Sequence, residues 1–177
     1  DLYAQREGLL ERIVGLKYFN VFGPDEEHKG EMRSVVHKAF GQIRESGRAR
    51  LFKSYRPDYR DGEQKRDFLY VKDAAEMTIH FVFGNPAAAG LFNVGSGEAH
   101  TWLELVGALF AALGKEPAVE FIEMPEGLRE RYQYFTRADI AKLRESGYAK
   151  PVTPLAEAVR DCAQNYLALG RRLGTGP

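Results

Sequence analysis

Lys17-Tyr18-Phe19-Asn20-Val21-Phe22-Gly23-Pro24, followed by His28-Lys29-Gly30, is the stretch from which the fold can be read. The β-rich run Ile13 to Val21 enters a corner at Asn20, the Gly-Pro pair breaks it, and a loop then delivers Lys29. In α/β proteins ligands collect in the crevice outside the carboxyl ends of the strands. A lysine at that place is a candidate for phosphate binding or proton transfer.

Working outward, strand-like and helix-like segments alternate. Leu2 to Arg12 reads as the end of a helix. Met32 to Ser46 reads as a helix on the spacing of Val35, Val36, Phe40 and Ile43, with Gly47 as its stop. Short strands are expected at Arg50 to Phe52, Phe68 to Val71, Gly90 to Val94 and Val119 to Met124. Asp73 with Glu76, and Thr101 with Glu104, are spaced as capping boxes that open helices. Thr136 is expected to cap a short helix ending near Glu145, and Thr153-Pro154 to open the last helix. That helix carries the apolar stripe Leu155, Val159, Cys162, Tyr166 and Leu169. Such alternation predicts a layered α/β arrangement.

Composition narrows the function classes. The 177 residues are 44% hydrophobic and 28% charged, as in an ordinary globular domain. No run of apolar residues is long enough to span a membrane, and Asp1 to Arg12 does not resemble a secretory signal. The single Cys162 cannot form an internal disulfide, which is compatible with a cytoplasmic location. A net charge of zero argues against a nucleic-acid partner. The charge is unevenly spread, however: His28 to Arg66 holds 11 Lys and Arg against 5 Asp and Glu. A basic segment in a neutral chain points to a small anionic ligand. His80 and His100 lack partners at metal-ligand spacing, so no metal site is expected.

Three motifs carry a resemblance: Lys17 to Pro24, Arg66-Asp67-Phe68-Leu69-Tyr70-Val71-Lys72-Asp73, and Phe92-Asn93-Val94-Gly95-Ser96-Gly97. In order and spacing they are similar to the C-terminal half of the extended short-chain dehydrogenase/reductases. His28-Lys29-Gly30 and Glu130-Arg131-Tyr132-Gln133-Tyr134-Phe135-Thr136 narrow the resemblance to the ADP-L-glycero-D-manno-heptose 6-epimerase family. The fold this implies is α/β, the end of a Rossmann sheet plus the smaller substrate-binding domain. Residues 1–25 would close the dinucleotide-binding half, 26–170 would form the substrate-binding domain with returning Rossmann elements, and 171–177 a flexible tail.

The resemblance also implies a chemistry. NADP takes a hydride from C6 of an ADP-heptose and returns it to the other face, within lipopolysaccharide core heptose synthesis. An acid/base is needed on each face, one from a Tyr-x-x-x-Lys motif and the other Lys29, which would also lie beside the cofactor. Since a free lysine has a pKa of about 10.4, burial beside the oxidised nicotinamide and other cations is expected to favour its neutral form. Asn20 would contact substrate, the Val21 backbone would approach the nicotinamide, and Arg66 would bind the diphosphate. Tyr132 would lie on the nucleotide-sugar, and Phe52, Lys53, Ser54 and Tyr55 would line the nucleotide.

Several positions depart from the family pattern. Glu31 stands near the substrate in place of a small hydroxyl residue, and Lys38 in place of a histidine. Lys17 replaces an arginine, and Arg56 to Glu63 lengthens the connection before Arg66. The glycine-rich dinucleotide fingerprint and Tyr-x-x-x-Lys do not occur in these residues. Gly95-Ser96-Gly97 is too short for the fingerprint and suits a tight turn. The expectation is therefore a C-terminal part that is inactive by itself and prone to self-association, with a homo-oligomer as the natural state. A UDP-hexose 4-epimerase, a sugar dehydratase, and a non-catalytic nucleotide-sugar-binding or assembly fragment are the alternatives.

Overall fold

The computed structural model describes residues 2–174. Helix α1 (Leu2–Arg6) is followed by a 3-10 turn at Leu9–Glu11, so the expected helix end is broken at Gly8. Strands β1 (Val14–Tyr18) and β2 (Val21–Phe22) divide the β-rich run in two. The division falls where the chain changes neighbours: the Phe19 N–H donates to Val94, and the Asn20 carbonyl accepts from Leu69. A 3-10 segment, Glu27–Met32, kinks at Gly30 and leads to helix α2 (Val35–Ser46), which Ser34 caps through the N–H of His37.

Strands β3 (Ala49–Phe52), β4 (Lys65–Arg66) and β5 (Leu69–Tyr70) precede helix α3 (Val71–Ile79) and its π-helical continuation His80–Gly84. Then come β6 (Gly90–Val94), β7 (His100–Thr101), α4 (Trp102–Ala112), β8 (Val119–Ile122), α5 (Glu126–Arg129), α6 (Ala141–Glu145) and α7 (Leu155–Asp161). A π turn, Cys162–Leu167, extends α7. Strand β1 runs parallel to β6, from Val14 opposite Gly90 to Tyr18 opposite Val94. β2 is parallel to β5 and β3 to β8, whereas β4 is antiparallel to β7.

Two apolar cores meet at β5. Because side chains alternate across a strand, Leu69 enters a core with Met77, Phe92 and Val94, while Phe68 and Tyr70 enter another with Phe40, Leu105 and Val159. Fully burying a side chain such as Ile43, Leu105 or Phe110 contributes about 1.5–3 kcal/mol each. Gly23 sits where β2 ends against the start of α3. A Cβ there would lie 2.4 Å from the Val71 side chain, so the strand end approaches the helix only as glycine.

Four local expectations need correction. Asp73 does not cap α3: β5 runs directly into the helix, and the Asp73 carboxylate accepts from the N–H and hydroxyl of Thr153. Thr153 is therefore spent on Asp73, and α7 starts after Pro154. Thr136 caps nothing, because the Phe135 bridge to Lys65 keeps the chain extended and α6 starts only at Ala141. Leu169 leaves the apolar stripe and is exposed, since the π turn changes the helical period and Ala163 is buried instead. Of the expected tail, 175–177 lie outside the described residues, and the Leu173 N–H donates to Asp25.

Candidate active site

The corner after β1 opens into a cavity of about 240 Å³ whose walls include Asn20, Val21, Lys29, Phe68 and Trp102. A neighbouring cavity of about 280 Å³ is lined by Lys38, Arg50, Phe52, Trp102 and Tyr132. Val35 and Trp102 belong to both walls. Residues from four separate sequence motifs thus line two adjoining cavities, one at the corner after β1 and the other between β3 and α2.

Arg66 lines neither cavity; it lies buried, 6% exposed, behind the wall residues Trp102 and Tyr132. Its guanidinium donates to the carbonyls of Lys65 (2.8 Å) and Gln133, and it packs over the rings of Trp102 (5.8 Å) and Tyr132 (5.2 Å). Burial pushes its pKa down, but an arginine keeps its charge regardless. No carboxylate pairs with it among the described residues. Its sequence neighbour Asp67 is occupied elsewhere: the buried carboxylate accepts from the N–H groups of Ser96 (2.7 Å), Gly97 (2.9 Å) and Ala138 (2.9 Å) and from the Ser96 hydroxyl (2.8 Å). That is the purpose of Gly95-Ser96-Gly97. At Gly95 a Cβ would lie 2.4 Å from that of Ala138, so the turn that presents these donors needs glycine there.

Trp102 was not among the sequence candidates. It is the only tryptophan, at the first position of α4, and its indole N–H donates to the Tyr132 hydroxyl (3.0 Å). Burial raises the Tyr132 pKa, so its hydroxyl stays protonated at neutral pH. Phe52 meets Tyr132 edge-on with centroids 6.3 Å apart. An aromatic set around a buried cation suits a ligand with a planar base and an anionic linker.

Lys29 lies on the rim, with 43% of its side chain exposed, and its ammonium is 3.5 Å from Glu26. Its near neighbour is thus a carboxylate, where cations and burial were expected. Glu31 and Lys38, the two departures from the family pattern, pair with each other at 3.3 Å. Lys38 still borders the larger cavity, whereas the Glu31 side chain is 94% exposed.

Lys53, Ser54 and Tyr55 stand apart from the two cavities. Lys53 (2.6 Å) and the Tyr55 hydroxyl both donate to Glu123, and these bonds hold the Glu123 carboxyl below its ordinary range. Arg129 covers the Tyr55 ring at 4.0 Å. The Ser54 N–H donates to Asp61 of the long 56–63 segment, which folds back so that Arg56 covers Tyr59 and Tyr134.

The family model described as "NAD dependent epimerase/dehydratase family" matches residues 2–95. A protein from Nitratidesulfovibrio vulgaris named ADP-L-glycero-D-manno-heptose-6-epimerase is 51% identical over 168 residues, 95% of this chain and 52% of that protein. A Fusobacterium nucleatum protein of the same name is 48% identical, over 87% of this chain and 48% of that protein. The chain thus spans about half the length of the curated relatives it matches. Among solved structures, a Helicobacter pylori ADP-L-glycero-D-manno-heptose-6-epimerase superposes with a TM-score of 0.74 at 26% identity, over 93% of this chain and 48% of that one. A Thermus thermophilus UDP-glucose 4-epimerase in complex with NAD gives 0.71 at 30% identity, over 92% and 48%.

Proposed function

The chain belongs to the NAD dependent epimerase/dehydratase family, and from that premise we propose that its two cavities are the nucleotide-sugar side of an ADP-L-glycero-D-manno-heptose 6-epimerase. The observation that carries the reading is Arg66: a buried guanidinium without a carboxylate partner among the described residues, wrapped by Trp102 and Tyr132. A buried charge is costly unless paired, and an ADP diphosphate supplies the missing anion. Phe52 and Tyr132 offer ring faces to the nucleotide, and Lys38 adds a second cation at the cavity wall.

Asn20 and Lys29 border the other cavity, where the sugar carbon to be inverted would lie. The Asn20 amide donates to and accepts from a sugar hydroxyl, and Lys29 exchanges the hydroxyl proton as hydride leaves one face or returns to the other. NADP, when bound, supplies the hydride acceptor and donor. The residues present fit only its nicotinamide end: the Val21 backbone and Lys29 border a cavity of suitable size, and no glycine-rich phosphate-binding turn occurs in the 177 residues. Such an enzyme would work in the cytoplasm, on precursors of lipopolysaccharide core heptose.

Trp102 provides the readout for a test. In the full-length gene product, titration with ADP-heptose and ADP should change its fluorescence at concentrations at least tenfold below those required for UDP-hexoses, and C6 inversion should be seen by NMR. Equal or tighter binding of UDP-sugars, with inversion at C4, would assign the chain to the hexose epimerases instead.

A further inference from the structure

We infer that Glu26 is the positioning residue for Lys29, a role that rests on reading Lys29 as the acid/base. Glu26 stands within the acidic run Asp25-Glu26-Glu27, yet it is only 3% exposed. Its two carboxylate oxygens receive four donors from three structural elements. Oε1 accepts from the Gly23 N–H (3.3 Å), just past β2, and from the Ser34 hydroxyl (2.6 Å). Oε2 accepts from the Ser34 N–H (2.7 Å) and faces the Lys29 ammonium at 3.5 Å. Ser34 in turn caps α2 through the His37 N–H.

One carboxylate therefore ties together the strand end bearing Asn20 and Val21, the loop bearing Lys29, and the N-terminus of α2. The site needs acceptors in all four directions. An ionised carboxylate supplies acceptors only, whereas a glutamine presents an NH₂ on one side. That NH₂ would face at least one N–H or O–H now satisfied by Glu26, and the ammonium would lose its counter-charge. The backbone on either side is also constrained. Asp25 holds a left-handed φ of 64° while its carboxylate accepts from Leu173, and Gly30 kinks the segment on the far side of Lys29. The charge that sets Lys29 in place is thus built into the scaffold before any ligand arrives, which is what a group that must reach a reacting hydroxyl requires.

A double-mutant cycle tests the assignment in the full-length gene product with NADP and ADP-heptose. Lys29→Met should lower kcat by 10²-fold or more, the range for loss of a positioned acid/base. Glu26→Gln should lower kcat about tenfold or more with KM within twofold, because the nucleotide is held beyond Trp102. In the Lys29→Met background Glu26→Gln should add no further loss. Full activity of Lys29→Met would defeat the reading of Lys29 itself. An impaired Lys29→Met with a fully active Glu26→Gln would overturn only the Glu26 assignment, as would an equal loss in both backgrounds or a loss confined to KM. Should Glu26→Gln not fold, Ser34→Ala carries the same test. It removes one of the four donors, and its smaller kcat loss should likewise vanish without Lys29.

Discussion

At the scale of single residues, Arg66 shows how the position of a charge can be worth more than its presence. Lysine would keep the charge but not the planar fork or the stacking between rings that guanidinium allows. Arg66 also spends donors on the Lys65 and Gln133 carbonyls, so the plane of the group is fixed before a ligand binds. Arg66→Lys should therefore weaken ADP or ADP-sugar binding by about 1.5–3 kcal/mol, the worth of hydrogen bonds to a charged group. In a Trp102 fluorescence titration this is a loss of roughly tenfold to a hundredfold in affinity; an unchanged Kd would remove Arg66 from the nucleotide site. Glu31 and Lys38 follow a different residue-scale logic. An acid and a base replace the hydroxyl and imidazole suggested by resemblance; they pair at 3.3 Å with the Glu31 side chain 94% exposed, so the pair lies in solvent beside the cavity.

At the scale of elements, α7 is fastened to β5 by one carboxylate. Asp161 accepts from the Tyr70 hydroxyl, the Lys72 ammonium and the Asn165 amide, each at 2.7 Å. Burial pushes the Asp161 pKa up, but the bonds from Lys72, Asn165 and Tyr70 outweigh it and leave the carboxyl below its ordinary value. A depressed native pKa contributes stability that is present above the unfolded value, about 3.9, and lost as pH falls through the native one. Asp161→Asn should thus cost about 1–2 kcal/mol near pH 7, read as a lowered Tm, and the gap from the parent should close as pH drops below about 4. A gap that is constant with pH would mean that the lost contacts, and not the charge, stabilise α7. The element scale also explains what could be read from sequence. The Thr101–Glu104 capping box, α2 and β6 were legible because their signals lie within a few residues. Asp73 and Thr153 were not, since each finds its partner 80 residues away. Nor were β4 and β7, two-residue strands too short for periodicity. In the site, Asn20, Lys29, Arg66 and Tyr132 stood out through motifs. Trp102 and Glu26 did not stand out, because neither burial nor shared walls leave a local pattern.

At the scale of the whole molecule, the two cores are satisfied but one side of the fold is not. Among the described residues β1 is hydrogen-bonded to a neighbouring strand on one side only, and an unpaired strand edge is a template for another chain. Leu2 and Tyr3 of α1 are exposed, as are Ile79, Val82 and Phe83 along α3 and its π turn, with Phe83 80% accessible. Each such side chain gains about 1.5–3 kcal/mol if an association buries it, so a few of them offset much of the entropic cost of bringing two chains together, about 4–15 kcal/mol. The catalytic inventory is equally one-sided, since the glycine-rich fingerprint and Tyr-x-x-x-Lys are absent from these 177 residues. Expressed as this 177-residue polypeptide, the protein should therefore form dimers or larger species as concentration rises, seen by analytical ultracentrifugation. It should also show no NADP-dependent C6 inversion, while ADP still changes Trp102 fluorescence. A monodisperse monomer at high concentration would show that these surfaces are too weakly apolar to associate, and measurable turnover would show that the chemistry needs fewer groups than one acid/base on each face.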